Sequence, residues 1–253
     1  GLLCVASQTP LIQLINTNVA GNEGTTDFSS LTEGIDYRFS PGGVSRMLYP
    51  LLKRMVQSGI IEGVEWISLN PNAPPRASFG EINLNHVALS SEKLKGYGAV
   101  KEGIWRLFHG LRTAENPEFW CDEYIDYILL NRKFSELAYA LHRQLDFDGF
   151  YIHDFQLLPM GSMLPTAEPK IFRWHIPFRT HDLPRSWQLA FLKYLSYYDV
   201  VIVSSRTYLD ELRRLGYKGD AFHVYPYIDP SQYTQPTIQQ IQDLRERLGI
   251  SEG

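Results

Sequence analysis

Gly149-Phe150-Tyr151-Ile152-His153-Asp154-Phe155-Gln156-Leu157-Leu158-Pro159 is the stretch whose reading decides the fold. Residues 150–153 are short, bulky and mostly apolar, bounded by Gly149 and Asp154, which is the pattern of a buried strand. Residues 157–164 have helical spacing and stop near Pro165. Asp154 stands at the junction. A buried strand that feeds a helix is one step of a parallel α/β sheet, and ligands of such sheets gather beyond the carboxyl ends of the strands.

The same step recurs on both sides of this stretch. Upstream, residues 2–6 form an apolar run ending in Ser7, and residues 64–68 make a second strand. Between them, residues 16–40 are rich in Gly, Thr and Ser and read as a long loop. Val44, Met47, Leu48, Leu51, Leu52, Met55 and Val56 recur at three- and four-residue spacing, and Gly59 stops that helix. Residues 71–75 read as a turn, 80–90 as extended, 97–109 and 119–144 as helices.

Downstream, residues 170–175, 200–203 and 222–225 read as strands. A helix over 184–198 starts on Pro184, and one capped by Ser204 and Ser205 ends at Gly216. Three prolines mark 226–236 as a linker, and 238–248 as a final polar helix. The class is therefore α/β: a Rossmann-like parallel sheet with helices on both faces. Residues 1–225 form one domain, and 226–253 lead out of it.

Composition narrows the function. Of 253 residues, 44% are hydrophobic and 21% charged, with a formal net charge of -4 and no basic run, so a nucleic-acid footprint is missing. No apolar run reaches the roughly 18 residues of a membrane span. Cys4 and Cys121 lack metal-site spacing and fit a reducing cytoplasm. Gly-x-Ser-x-Gly, Walker, His-Glu-x-x-His and Cys-x-x-Cys patterns are all missing.

Strand ends hold the informative residues: Ser7, Asp154, His175, Ser204 and Pro226. Asp154 is either a helix cap or a chemical carboxylate. His153 points the other way by strand alternation and reads as a core histidine. His175, followed by Pro177, is a structural or a functional histidine; pairing it with Asp154 on a metal lacks a third ligand. Pro41-Gly42-Gly43 opens a helix, where bare N–H groups and the positive helix end favour a phosphate, or else it is a plain turn. Gly103-Ile104-Trp105-Arg106-Leu107-Phe108-His109 supplies aromatics for a core or for stacking on a sugar.

In order, four segments resemble the trehalose-phosphate synthases, family 20 of the retaining glycosyltransferases. They are Gly42-Gly43, Ile104–His109 with its Trp105, His153–Pro159 with its Asp154, and His175-Ile176-Pro177-Phe178. Tyr225-Pro226-Tyr227-Ile228-Asp229-Pro230 resembles the linker out of that family's first domain. The resemblance implies a GT-B fold of two Rossmann-like domains, of which this chain is the N-terminal one.

It also implies glucose transfer from a nucleotide sugar, UDP-glucose or another nucleotide-glucose, to a sugar phosphate, with no cofactor and no metal. By the same resemblance Asp154 and His175 contact the reacting sugars, and Gly42 and Gly43 form the donor phosphate loop. Trp105, Tyr97 and Thr9 belong to the acceptor site. The partners implied are the two substrates and an absent C-terminal donor domain, without nucleic acid or membrane; a homo-oligomer is compatible.

Three departures bear on the acceptor. The family's phosphate-binding Arg after the first strand is replaced within Ser7-Gln8-Thr9. Its acceptor tyrosine falls on Gly96, next to Tyr97, and Phe155 stands where Tyr is common. Arg46, Lys95 and Arg112 are the candidates for restoring the charge. Two other readings stay open: the same fold with glycerol or polyol phosphate as acceptor, and a non-catalytic sugar-phosphate-binding module. On the family reading this chain alone is not expected to catalyse transfer, because donor-clamping residues belong to the second domain.

Overall fold

The first strand, β1 (Leu2–Ala6), runs through the middle of a nine-stranded sheet. Its neighbours β5 (Gly63–Leu69) and β8 (Phe147–His153) are both parallel to it. The structure, a computed structural model, describes residues 1–19, 25–111, 121–227 and 236–248. Beyond β8 lie β9 (Lys170–Arg173), β10 (Val200–Val203) and β11 (Asp220–His223), each parallel to its neighbour. Beyond β5 lie β7 (Ile82–Val87), then β6 (Arg76–Phe79), antiparallel to β7, and a two-residue β3 (Thr26–Asp27).

Alternate side chains of each strand serve two cores. Cys4, Ala6, Phe150, Ile152, Phe172 and Trp174 face one core. That core is closed by α2 (Ser91–Phe108), α3 (Tyr124–Leu145), the 3-10 segment Phe155–Met163, α4 (Arg185–Leu195) and α5 (Arg206–Leu215). Val5, Val64 and Trp66 face the other. There α1 (Gly43–Gln57) contributes Leu48 and Leu52, and the ribbon of β2 (Ile12–Leu14) and β4 (Tyr37–Phe39) covers the flank. Each such leucine stabilises the fold by roughly 2 kcal/mol through burial. The α/β class and the helices on both faces are therefore as expected.

Several boundaries differ. Residues 16–40 are not one loop: β3, β4 and two 3-10 turns lie in it, too short to leave a periodic signal. Strand β6 was not expected; its four residues follow directly on a proline-rich turn. Helix α2 begins six residues earlier than expected, because the Ser90 hydroxyl accepts from the Lys93 N–H and caps it, while Gly96 and Gly98 interrupt its apolar pattern. Helix α6 (Ile238–Leu248) has the expected bounds. Most of the expected linker, residues 228–235, lies outside the described residues, as do Arg112 and residues 119–120. Among the described residues no helix is long and apolar enough to cross a membrane.

Candidate functional site

Asp154 has φ 70° and ψ 169°, a conformation that residues other than glycine rarely adopt and that costs about 1–3 kcal/mol. Its surroundings hold it there. The Asp154 N–H donates to the Arg173 carbonyl at 2.7 Å, and the Asp154 carbonyl accepts from the Leu157 N–H at 3.0 Å. The carboxylate does not cap the helix that follows. Instead its Oδ1 accepts from the His175 N–H at 3.0 Å, and the N–H groups of Phe155 and Ile176 also reach the carboxylate.

Burial raises the Asp154 carboxyl to about 6, against the pull of these N–H groups and of His109. It is anionic at neutral pH and close to titration.

His153 is a buried residue on the face opposite Ile152, as strand alternation predicts: its ring lies 4.1 Å from Tyr151, two residues back along β8. His153 is 1% exposed, yet its Nδ1 lies 2.9 Å from His175 Nε2, with the two rings stacked 5.2 Å apart. Alternation along β9 puts Arg173 and His175 on that same face, so the expected orientation of His153 stands and its contact with His175 is what the pairing of β8 with β9 adds. Burial, and then the positive charge of Arg173, lower His175 to about 3. Burial and the neighbouring His175 and Arg173 hold His153 well below its usual value. Both imidazoles are therefore neutral at physiological pH.

Helix α2 supplies the next layer. Tyr97, Lys101, Trp105 and His109 recur every four residues and share one face. Tyr97 is buried, its hydroxyl donates to Gln8 Oε1 at 3.2 Å, and the charge of Asp154 helps raise it well above its usual value, after burial. Trp105 is 38% exposed and stacks on the His109 ring at 3.9 Å. It joins the cluster through His109, whose charge is felt at Asp154.

The exit of β1 forms the wall opposite. Ser7 Oγ accepts from Trp66 Nε1 at 2.8 Å and donates to the Thr9 carbonyl at 2.6 Å, which fixes the Ser7-Gln8-Thr9 turn. Thr9 enters the site's frame through its main chain, and Gln8 through its side chain. Gly42, at φ 132°, and Gly43 are exposed at the mouth of α1 with open space where a Cβ would project. Ser45, in the first turn, donates to the Pro10 carbonyl at 3.2 Å and ties that mouth to the β1 exit.

Asp154, His175 and Tyr97 thus meet in one cluster; Thr9 borders it, and Gly42-Gly43 sit further along the same edge. Arg46 and Lys95 are exposed on their helices. At Gly96 a Cβ would collide with the carboxylate of Asp126, which pairs with Lys93 at 3.2 Å. Gln8, His109, Arg173 and the His153 partnership were not singled out from the sequence. His109 lies inside a quoted motif and Arg173 inside an expected strand, but only the fold shows which way they face.

None of the protein families compared, and no curated protein, matches the chain. Solved structures do. A trehalose-6-phosphate synthase matches with a TM-score of 0.66 at 20% identity, over 98% of this chain and 55% of that one. The chain shares its fold with the trehalose-6-phosphate synthases. The synthase of Burkholderia multivorans matches at 0.64 and 21% identity, over 98% of this chain and 54% of that one. That of Burkholderia xenovorans in complex with glucose-6-phosphate matches at 0.54 and 16%, over 84% and 43%. A further match, from E. coli and bound with UDP-2-fluoro glucose, has a TM-score of 0.62 at 20% identity, over 98% and 55%. The chain spans about half the length of these synthase structures.

Proposed function

We propose that this chain is the acceptor-side half of a retaining GT-B transferase that moves glucose from a nucleotide sugar to a sugar phosphate. Residues 1–225 are its Rossmann-like domain, and 226–253 the passage to a donor-binding domain. The observation that supports this most is Asp154. A strained, buried carboxylate, tied by its Oδ1 to the His175 N–H, stands at the carboxyl edge of a parallel sheet. Strain of that kind persists where the surroundings over-determine it, as at ligand clamps.

The chemistry asked of these residues is positioning. An anionic Asp154 accepts hydrogen bonds from sugar hydroxyls, and a neutral His175 contacts the sugar beside it without adding charge. Trp105 offers a face for an apolar side of a sugar ring. The open N–H groups at Gly42 and Gly43 suit the donor phosphates. In this reading the leaving phosphate takes the acceptor proton, so the protein orients the reactants and stabilises charge. UDP-glucose and glucose 6-phosphate are the substrates suggested by the ligands of two matched structures.

A second acceptor, glycerol or another polyol phosphate, is favoured by two observations. Ser7-Gln8-Thr9 carries no cation, and Asp126 fills the space at Gly96. We place the protein in the cytoplasm, on its two free cysteines.

Calorimetry with glucose 6-phosphate, glycerol 3-phosphate, free glucose and a nucleotide glucose tests the reading. A sugar or polyol phosphate is expected to bind the wild type and to bind Asp154→Asn roughly 10-fold less tightly, the loss of one charged hydrogen bond. Mass spectrometry is expected to find no transfer by this chain alone. Failure of all four compounds to bind would contradict the proposal; binding with equal affinity to Asp154→Asn would place the ligand elsewhere.

A further inference from the structure

His153 and Arg173 occupy paired positions on adjacent strands β8 and β9. Arg173 is 4% exposed and has no carboxylate partner among the described residues. Its guanidinium donates to the Val224 carbonyl at 3.1 Å, reaches the Tyr151 hydroxyl, and lies 5.9 Å from the Tyr227 ring centre. A cation buried without an anion imposes its field on its neighbours. The neighbours are His153 and, through it, His175.

One proton sits between His153 Nδ1 and His175 Nε2, and two arrangements satisfy the bond. In the first, His153 Nδ1–H donates, and each neutral ring carries its proton on Nδ1. In the second, His175 Nε2–H donates, and each ring carries its proton on Nε2. The second leaves a buried N–H on His153, because His153 Nε2 is buried with no hydrogen-bond partner among the described residues. An imidazole N–H is the positive end of the ring dipole, and the charge that acts on His153 from the paired position on β9 is the Arg173 cation. A bare Nε2 lone pair is the form that this field favours.

We infer that Arg173 and His153 are positioning residues that fix His175 in its Nδ1–H tautomer, so that His175 presents a hydrogen-bond donor at the carboxyl edge of the sheet. The donor suits a lone pair of a sugar hydroxyl or a phosphoryl oxygen. That use rests on the transferase reading; the tautomer itself does not.

Long-range proton–nitrogen correlation spectra of the 15N-labelled 253-residue chain, without ligand at about pH 7, read both proton positions. Both histidines are expected to show a protonated Nδ1 and a bare Nε2. An Nε2–H or imidazolium pattern for His175 in the wild type overturns the inference. Arg173→Lys, which keeps the charge, is expected to keep the pattern. Arg173→Gln keeps a donor for Val224 without charge and is expected to raise the Nε2–H population of His175 several-fold. An unchanged pattern in folded Arg173→Gln, or a lost one in Arg173→Lys, removes Arg173 from the account. The spectra need no substrate, so their failure leaves the transferase reading untouched, and a failure to bind sugars leaves the tautomer untouched.

Discussion

The main-chain N–H of His175 donates to Asp154 Oδ1 at 3.0 Å, joining the exits of two adjacent parallel strands. That bond orients the carboxylate across the strand ends, where it leaves the following helix uncapped. It also sets His175 over His153.

The first prediction concerns acid. The folded Asp154 carboxyl lies near 6, above its usual 3.8, so its contribution favours the folded state at low pH and is lost as pH rises through that window. His175, near 3 instead of 6.5, and His153, also lowered, act in the opposite sense: their contribution is present above 6.5 and is lost as pH falls. Two histidines outweigh one carboxylate. Stability measured by urea unfolding is expected to fall by about 1 kcal/mol per pH unit from pH 6 to pH 4. His175→Gln is expected to flatten this slope.

Strain at Asp154 is separable from its hydrogen bonds. Asp154→Ala and Asp154→Gly both remove the carboxylate, but only glycine tolerates φ 70° and ψ 169° at little cost. The glycine variant is expected to be more stable than the alanine variant by about 1–3 kcal/mol in urea melts. Neither is expected to bind a sugar phosphate as the wild type does.

Trp105 is expected to matter for binding and little for stability. Its ring is 38% exposed and stacked on His109. Trp105→Ala is expected to weaken acceptor binding by roughly 2- to 10-fold in calorimetry, the scale of one aromatic contact. The unfolding midpoint is expected to shift by less than about 1 kcal/mol equivalent.

Gly161 tests the support of the segment that follows Asp154. An alanine Cβ there would lie 2.6 Å from the Tyr198 ring. The Tyr198 hydroxyl donates to the Leu158 carbonyl at 2.7 Å and accepts from the Gly161 N–H at 2.9 Å. Gly161→Ala is expected to destabilise the chain by about 1–3 kcal/mol, the cost of overpacking, read by urea unfolding.

Much of the fold was legible because its central strands are short apolar runs between turn residues, and α1 carries a clean helical pattern. Strands β3, β4 and β6 were not, since two to four residues paired at a sheet edge leave no period to read. That Asp154 and His175 stand together could be read from their place at strand ends. The roles of His153, Arg173 and Gln8 could not. They depend on which strand lies beside which, and that is not written in local spacing. At Gly96 the family resemblance implied a tyrosine; the fold adds that Asp126 stands in the space.

The most direct measurement is chemical-shift mapping of the labelled chain on titration with a sugar phosphate. The largest changes are expected at Asp154, His175, Tyr97 and Trp105, with smaller ones at Gly42 and Gly43. Changes confined to another surface, such as the groove lined by Arg132, Tyr139 and Pro165 on the far side of α3, or no changes at all, would contradict the account.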